Sequence, residues 1–188
     1  MAAVRSFIAA NLNDEVRAAL AKVEEELRQT GANVRWVRPQ NFHLTLVFLG
    51  YVDQEKLGDI AAAIRTAVEG IKPFDIEFAD VGGLPRPDRP RVVYVGIKDA
   101  SGGLTALNEK ISEAMKSFDV KIEDRKYVPH MTLGRVASPK NIGALVEAFK
   151  KAGGQSFGIL RVGSVELMIS DLQPSGPVYT VAARVELV

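Results

Sequence analysis

Cysteine is absent from the 188-residue sequence, and histidine occurs only twice. The first absence removes disulfides, thiolate nucleophiles and Cys-ligated zinc, and it suits a reducing compartment. Net charge is also scarce. The 24 Lys and Arg against 23 Asp and Glu leave +1, so no global field draws in a polyanion, and any such binding must come from a local grouping of Arg and Lys. No run approaches the roughly 18 apolar residues that a membrane span requires. The opening stretch MAAVRSFIAANLNDEV is broken by Arg5 and soon followed by acids, without the apolar centre and cleavage pattern of a leader peptide. The cytoplasm is therefore the default expectation. What remains, 47% hydrophobic and 25% charged residues, is the composition of a globular protein large enough to bury one substantial core.

Strand and helix patterns alternate along the chain. RSFIAANL reads as a strand, and Asn13 is a candidate N-cap for a helix from near Asp14. That helix carries Val16, Leu20, Val23 and Leu27 on one stripe, with Glu24 to Glu26 and Arg28 mostly on the wet side, and Gly31 closes it. A strand around His43 follows, then a helix from about Asp53 to Glu69 and a strand FDIEFADV. The order then repeats: strand RVVYVGI, helix from about Ser101 to Ser117, strand around His130, and a helix from about Pro139 to Lys151, with proline at its start. FGILRVGSVELMI, with a bend allowed at Gly163, and VYTVAARVEL complete the chain. Each half thus reads strand, helix, histidine strand, helix, strand, which predicts a duplicated domain of two lobes about an approximate twofold axis. The lobe halves are 1–84 and 91–188 of a single domain, with exchange of strands between lobes left open. The connector LPRPDRPR (84–91) is either a phosphate-contacting loop or a solvated one.

The two histidines lie 87 residues apart, in NFHLTLVFLG and VPHMTLGRV. Both are followed by Thr at +2 and Leu at +3. Threonine is 6 of 188 residues, so its chance occurrence at +2 from both has odds of roughly one in a thousand. In a strand, residues two apart share a face, which puts His43 beside Thr45 and His130 beside Thr132. Phe42, Leu44, Leu46 and Phe48 form the opposite, apolar face of the first strand. Two imidazoles facing across a groove can accept and donate a proton near neutral pH, while the hydroxyls hold anionic oxygens. With no nucleophile of the protein's own, water or a substrate hydroxyl would attack, which suits displacement at phosphorus. The alternative is a hydrogen-bonded structural pair preserved by duplication. A metal site is disfavoured, because neither motif carries an acid beside its histidine.

These residues resemble the paired H-x-T-x signatures of the 2H phosphoesterase superfamily: His43, Leu44, Thr45 and Leu46, then His130, Met131, Thr132 and Leu133. The resemblance extends over RSFIAANL, WVRPQNFHLTLVFLG, DRKYVPHMTLGRV and LMISDLQPSGPVYTVAARVEL. It is greatest to the bacterial and archaeal RNA 2',3'-cyclic phosphodiesterases, also named 2'-5' RNA ligases. It implies an α+β fold, bilobal, with two antiparallel sheets facing across a central groove and helices outside. It further implies metal-independent, cofactor-free hydrolysis of RNA 2',3'-cyclic phosphate ends to 2'-phosphomonoesters, with His43 as proton donor, His130 as proton acceptor, and Thr45 and Thr132 on the phosphate. Joining of tRNA halves at the same site, or RNA and nucleotide binding without turnover, are the alternatives. A monomer free of membrane or metal is the default expectation. Arg135 matches a basic position that contacts phosphate or RNA, yet strict alternation puts it opposite His130 unless Gly134 permits a bulge. Trp36, Phe42 and Tyr127 are candidates to stack on a terminal base or to be core.

Overall fold

Hydrophobic periodicity resolves into nine strands and four helices over the described residues, 2–122 and 126–188 of a computed structural model. The first half supplies β1 (Ala3–Asn11), α1 (Asp14–Arg28), β2 (Val34–Trp36), β3 (His43–Asp53), α2 (Leu57–Val68) and β4 (Phe74–Leu84). The second supplies β5 (Val92–Lys98), α3 (Gly103–Met115), β6 (His130–Val136), α4 (Ile142–Ala152), β7 (Ser156–Val162), β8 (Ser164–Gln173) and β9 (Gly176–Glu186). Local signals account for the best-defined elements. Asn13 caps α1 by accepting a 2.9 Å hydrogen bond from Val16 N, and Val16, Leu20, Val23 and Leu27 form its buried stripe. In α3, Leu104, Leu107, Ile111 and Met115 do the same. No helix among the described residues is long and apolar enough to cross a membrane.

All strand pairs are antiparallel and form two sheets, ordered β3-β1-β8-β9 and β2-β6-β5-β4-β7. Each sheet draws strands from both halves of the chain. β4 and β5 are neighbours, so the 84–91 connector closes a hairpin inside the second sheet. Gly163 stands where the chain leaves β7 in the second sheet and enters β8 in the first. The helices are shared in the same way: α1 lies against β7 and α4 against β4, whereas α2 contacts β9 and α3 contacts β3. The sheets meet along β3 and β6.

Four expectations need correction. Register shifts along β1–β3 leave Leu46 and Leu49 without partners in the ladder. Each extra residue inverts the alternation, so Val47 and Leu49 turn into the core while Phe48 is 45% exposed on the face that carries His43. Glu24 is only 2% exposed. It is held by Arg28, whose Nε donates to Glu24 Oε1 at 3.0 Å, and burial pushes its carboxyl above the ordinary value. The last helix starts at Ile142 behind Asn141, not at Pro139, because Asn141 adopts a left-handed conformation (φ 55°) that a helix interior does not allow. Phe42 is the fourth, and its place bears on the site.

Candidate active site

His43 and His130 open strands β3 and β6, one in each sheet, at the seam where the sheets meet. Both rings are fixed by the same local device. His43 Nδ1–H donates to Asn41 O at 2.7 Å, and His130 Nδ1–H donates to Val128 O at 2.8 Å. A carbonyl can only accept, so each Nδ1 carries the proton and each Nε2 is left to exchange one with a ligand. Each acceptor lies two residues before its histidine, so the geometry follows from the chain's path into the strand.

The surroundings of the two rings differ. His43 stands 4.7 Å from Phe7 and 5.1 Å from Tyr179, which meets it edge-on at 88°. Burial among these rings pushes His43 below its ordinary proton affinity. The bond to Asn41 opposes this, and the nearby Arg17 charge adds to it. His130 has one aromatic neighbour, Tyr94, at 6.1 Å.

A cleft of about 980 Å³ runs between the sheets and is lined by both histidines together with Thr45 and Thr132. Trp36, Tyr127 and Arg135 also reach it. Arg135 does so because Leu133 is an extra residue between the pairs Val93↔Gly134 and Tyr94↔Thr132, a bulge that returns the next side chain to the groove. The glycine there is a steric requirement: a Cβ on Gly134 would come within 2.6 Å of Val34 Cγ1. Trp36 lies under the Arg28 guanidinium at 5.5 Å. Tyr127 spans the seam, its hydroxyl donating to Thr45 O at 3.2 Å, and burial drives its phenol well above the usual range. Phe42 does not reach the cleft. It is 1% exposed and packs in the main core, since it stands one residue before His43 and faces the other side of the sheet.

The structure adds residues that pattern reading missed. Arg5, Arg38 and Lys126 line the cleft, as do Phe7, Phe48 and Tyr179, and Arg91 joins them from the connector already read as a candidate phosphate-contacting loop. Of the connector's arginines, Arg91 faces the cleft, whereas Arg86 pairs with Asp88. The cations come from β1, the turn before β3, the connector and the lead into β6, so no sequence window groups them. Among the described residues no three His, Cys, Asp or Glu side chains gather as a metal cluster.

Comparison with known proteins matches this architecture. A family model described as LigT like Phosphoesterase matches residues 11–94 and again 95–179. An RNA 2',3'-cyclic phosphodiesterase of Methanothermobacter thermautotrophicus is 34% identical over 183 residues, covering 94% of this chain and 95% of the relative. The enzyme of the same name from Archaeoglobus fulgidus is 35% identical over 176 residues, covering 94% and 96%. Among solved structures, TT0787 of Thermus thermophilus superposes with a TM-score of 0.80 at 28% identity, covering 97% of both chains. E. coli LigT in complex with 3'-AMP gives 0.79 at 25% identity, covering 100% of this chain and 99% of that one.

Proposed function

The chain belongs to the LigT-like phosphoesterase family and hydrolyses RNA 2',3'-cyclic phosphate, and we propose that His43 and His130 open the ring as its acid–base pair. The supporting observation is that two imidazoles, each with Nδ1 committed to its own backbone and Nε2 free, open into one cleft beside paired threonine hydroxyls. In this reading His130 Nε2 takes a proton from water as its oxygen bonds to phosphorus. His43 Nε2–H then gives a proton to O3' as the P–O3' bond breaks. The product is a 2'-phosphomonoester with a free 3'-hydroxyl. Thr45 and Thr132 donate to the non-bridging oxygens, where charge builds in the transition state.

His43 must be charged to serve as the acid, and its burial opposes that. The bound phosphodiester supplies the compensation, because an anion beside the ring favours the imidazolium. Arg5, Arg38, Arg91, Lys126 and Arg135 give the cleft more positive charge than one cyclic phosphate needs, which suits the successive phosphates of an RNA strand. Every group used comes from one chain, so a single copy suffices.

The test is an RNA oligonucleotide ending in a 2',3'-cyclic phosphate, incubated with the protein in EDTA. The expected result is opening of the ring with the phosphate kept on the 2' oxygen. Retention on the 3' oxygen would mean that the P–O2' bond breaks instead and O2' takes the proton, and an intact ring would refute the reading.

A further inference from the structure

Arg17 occupies a place that its own helix does not explain. It stands in the first turn of α1, where the N-terminal end of the helix dipole disfavours a cation. Its guanidinium reaches no carboxylate among the described residues. It is spent on three main-chain carbonyls instead: Nη1 donates to Pro39 O at 2.8 Å and to Phe42 O at 3.1 Å, and Nη2 donates to Leu12 O at 3.1 Å. Pro39 opens the short 3-10 turn Pro39–Asn41, Phe42 directly precedes His43, and Leu12 directly follows β1. One planar group therefore ties the end of β1 to both ends of the turn that feeds the first histidine.

That turn holds the acceptor that orients the ring. Asn41 O receives the His43 Nδ1 proton, and Asn41 is anchored on its other side by its Nδ2, which donates to Pro177 O at 2.8 Å. Arg17 itself does not line the cleft. Among the described residues the second motif shows no equivalent clamp: Val128 O, the acceptor for His130, lies in a segment without regular structure. We propose that Arg17 is the positioning residue of the first histidine motif, clamping the turn Pro39–Asn41 so that the His43 imidazole is aimed into the cleft. The inference rests on the reading of His43 as the reacting acid.

The proposal predicts effects on turnover and on one histidine only. Displacement of a reacting group by about an ångström costs roughly a hundredfold in rate, so Arg17→Lys and Arg17→Met are expected to lower kcat about tenfold to a hundredfold with KM within about twofold. Lysine keeps the charge but cannot span three carbonyls, so it should not rescue kcat. The pH response separates the variants. The charged or titratable groups around His43 are Arg17 behind it, the Tyr179 phenol of β9 at the ring, and Arg5, His130 and Arg135 along the cleft. Only the first is altered. Loss of its charge in Arg17→Met should raise the His43 titration midpoint and carry the alkaline limb of activity upward, while Arg17→Lys leaves the midpoint near wild type.

Because the chain has two histidines, their ring resonances are assigned with one His130→Gln variant and followed by NMR without substrate. If Arg17→Met does not fold, Arg17→Gln replaces it. A fall in kcat with a changed His43 resonance and an unchanged His130 resonance supports the proposal. Unchanged kcat, an unchanged His43 resonance, or equal movement of both rings overturns it. Wild-type protein inactive on cyclic phosphates would overturn the catalytic reading and still leave the NMR result to decide the role of Arg17.

Discussion

The two histidine motifs share a backbone device and differ in almost everything around it. His43 and His130 each bond the carbonyl two residues earlier at nearly the same length. Yet His43 sits among Phe7 and Tyr179, behind a turn held by Arg17 and Asn41. His130 has Tyr94 at a longer distance and an irregular lead-in. Duplication copies what is local, the strand opening and its tautomer. The aromatic surroundings of each ring are set by neighbours from other elements, and they differ between the halves. Hydrolysis needs this kind of asymmetry, since one group must give a proton while the other takes one.

The strongest way to break the comparison is to remove one ring at a time. His43→Ala and His130→Ala should each lower turnover on cyclic-phosphate RNA by about 10²–10⁴-fold with the fold retained by circular dichroism. A near-normal rate in either variant would mean that the motifs are not a catalytic pair.

The pH profile sharpens the contrast. Activity should be bell-shaped, and its alkaline limb marks loss of the proton from the acid. Tyr179→Ala admits water to His43, relieves the desolvation that lowers its proton affinity, and should carry that limb to higher pH. An unmoved limb would deny that burial against Tyr179 lowers the proton affinity of His43. The same shift has a stability consequence. With His43 held below 6.5 in the fold, the unfolded chain binds its proton first as pH falls. The contribution of this group is therefore complete above about 6.5 and is lost as pH drops through the folded value. His43→Gln should lack that part of the acid dependence in urea titrations.

The smallest effect concerns the link between the halves. Tyr127→Phe deletes the hydroxyl that bonds Thr45 O across the seam and should cost about 1 kcal/mol of unfolding free energy. An unchanged urea midpoint would show that this bond does not help hold the sheets together.

Much of the molecule was legible before its fold was known, for reasons visible at particular residues. Asn13, the stripe Val16-Leu20-Val23-Leu27 and the stripe Leu104-Leu107-Ile111-Met115 act within a few positions, so pattern reading finds α1 and α3. β2 has three residues, too few for alternation to register. Strict alternation placed Phe42 correctly opposite His43, which is why its role as a stacking group fails. It misplaced Phe48, because bulges on β3 invert the parity, and it needed the bulge at Leu133 to bring Arg135 into the groove. Glu24 read as solvated because its burial comes from the surrounding packing and not from its own helix pattern.

By itself the sequence determined the local elements and the chemistry available in the two H-x-T motifs, because periodicity, capping and strand alternation operate over a handful of bonds. The tertiary structure alone decided which sheet each strand joins, that both imidazoles open into one cleft, and that the rings meet different aromatic neighbours. Those properties depend on groups such as Phe7, Arg17, Arg91 and Tyr179, which are distant in the chain and meet only when the two sheets close on one another.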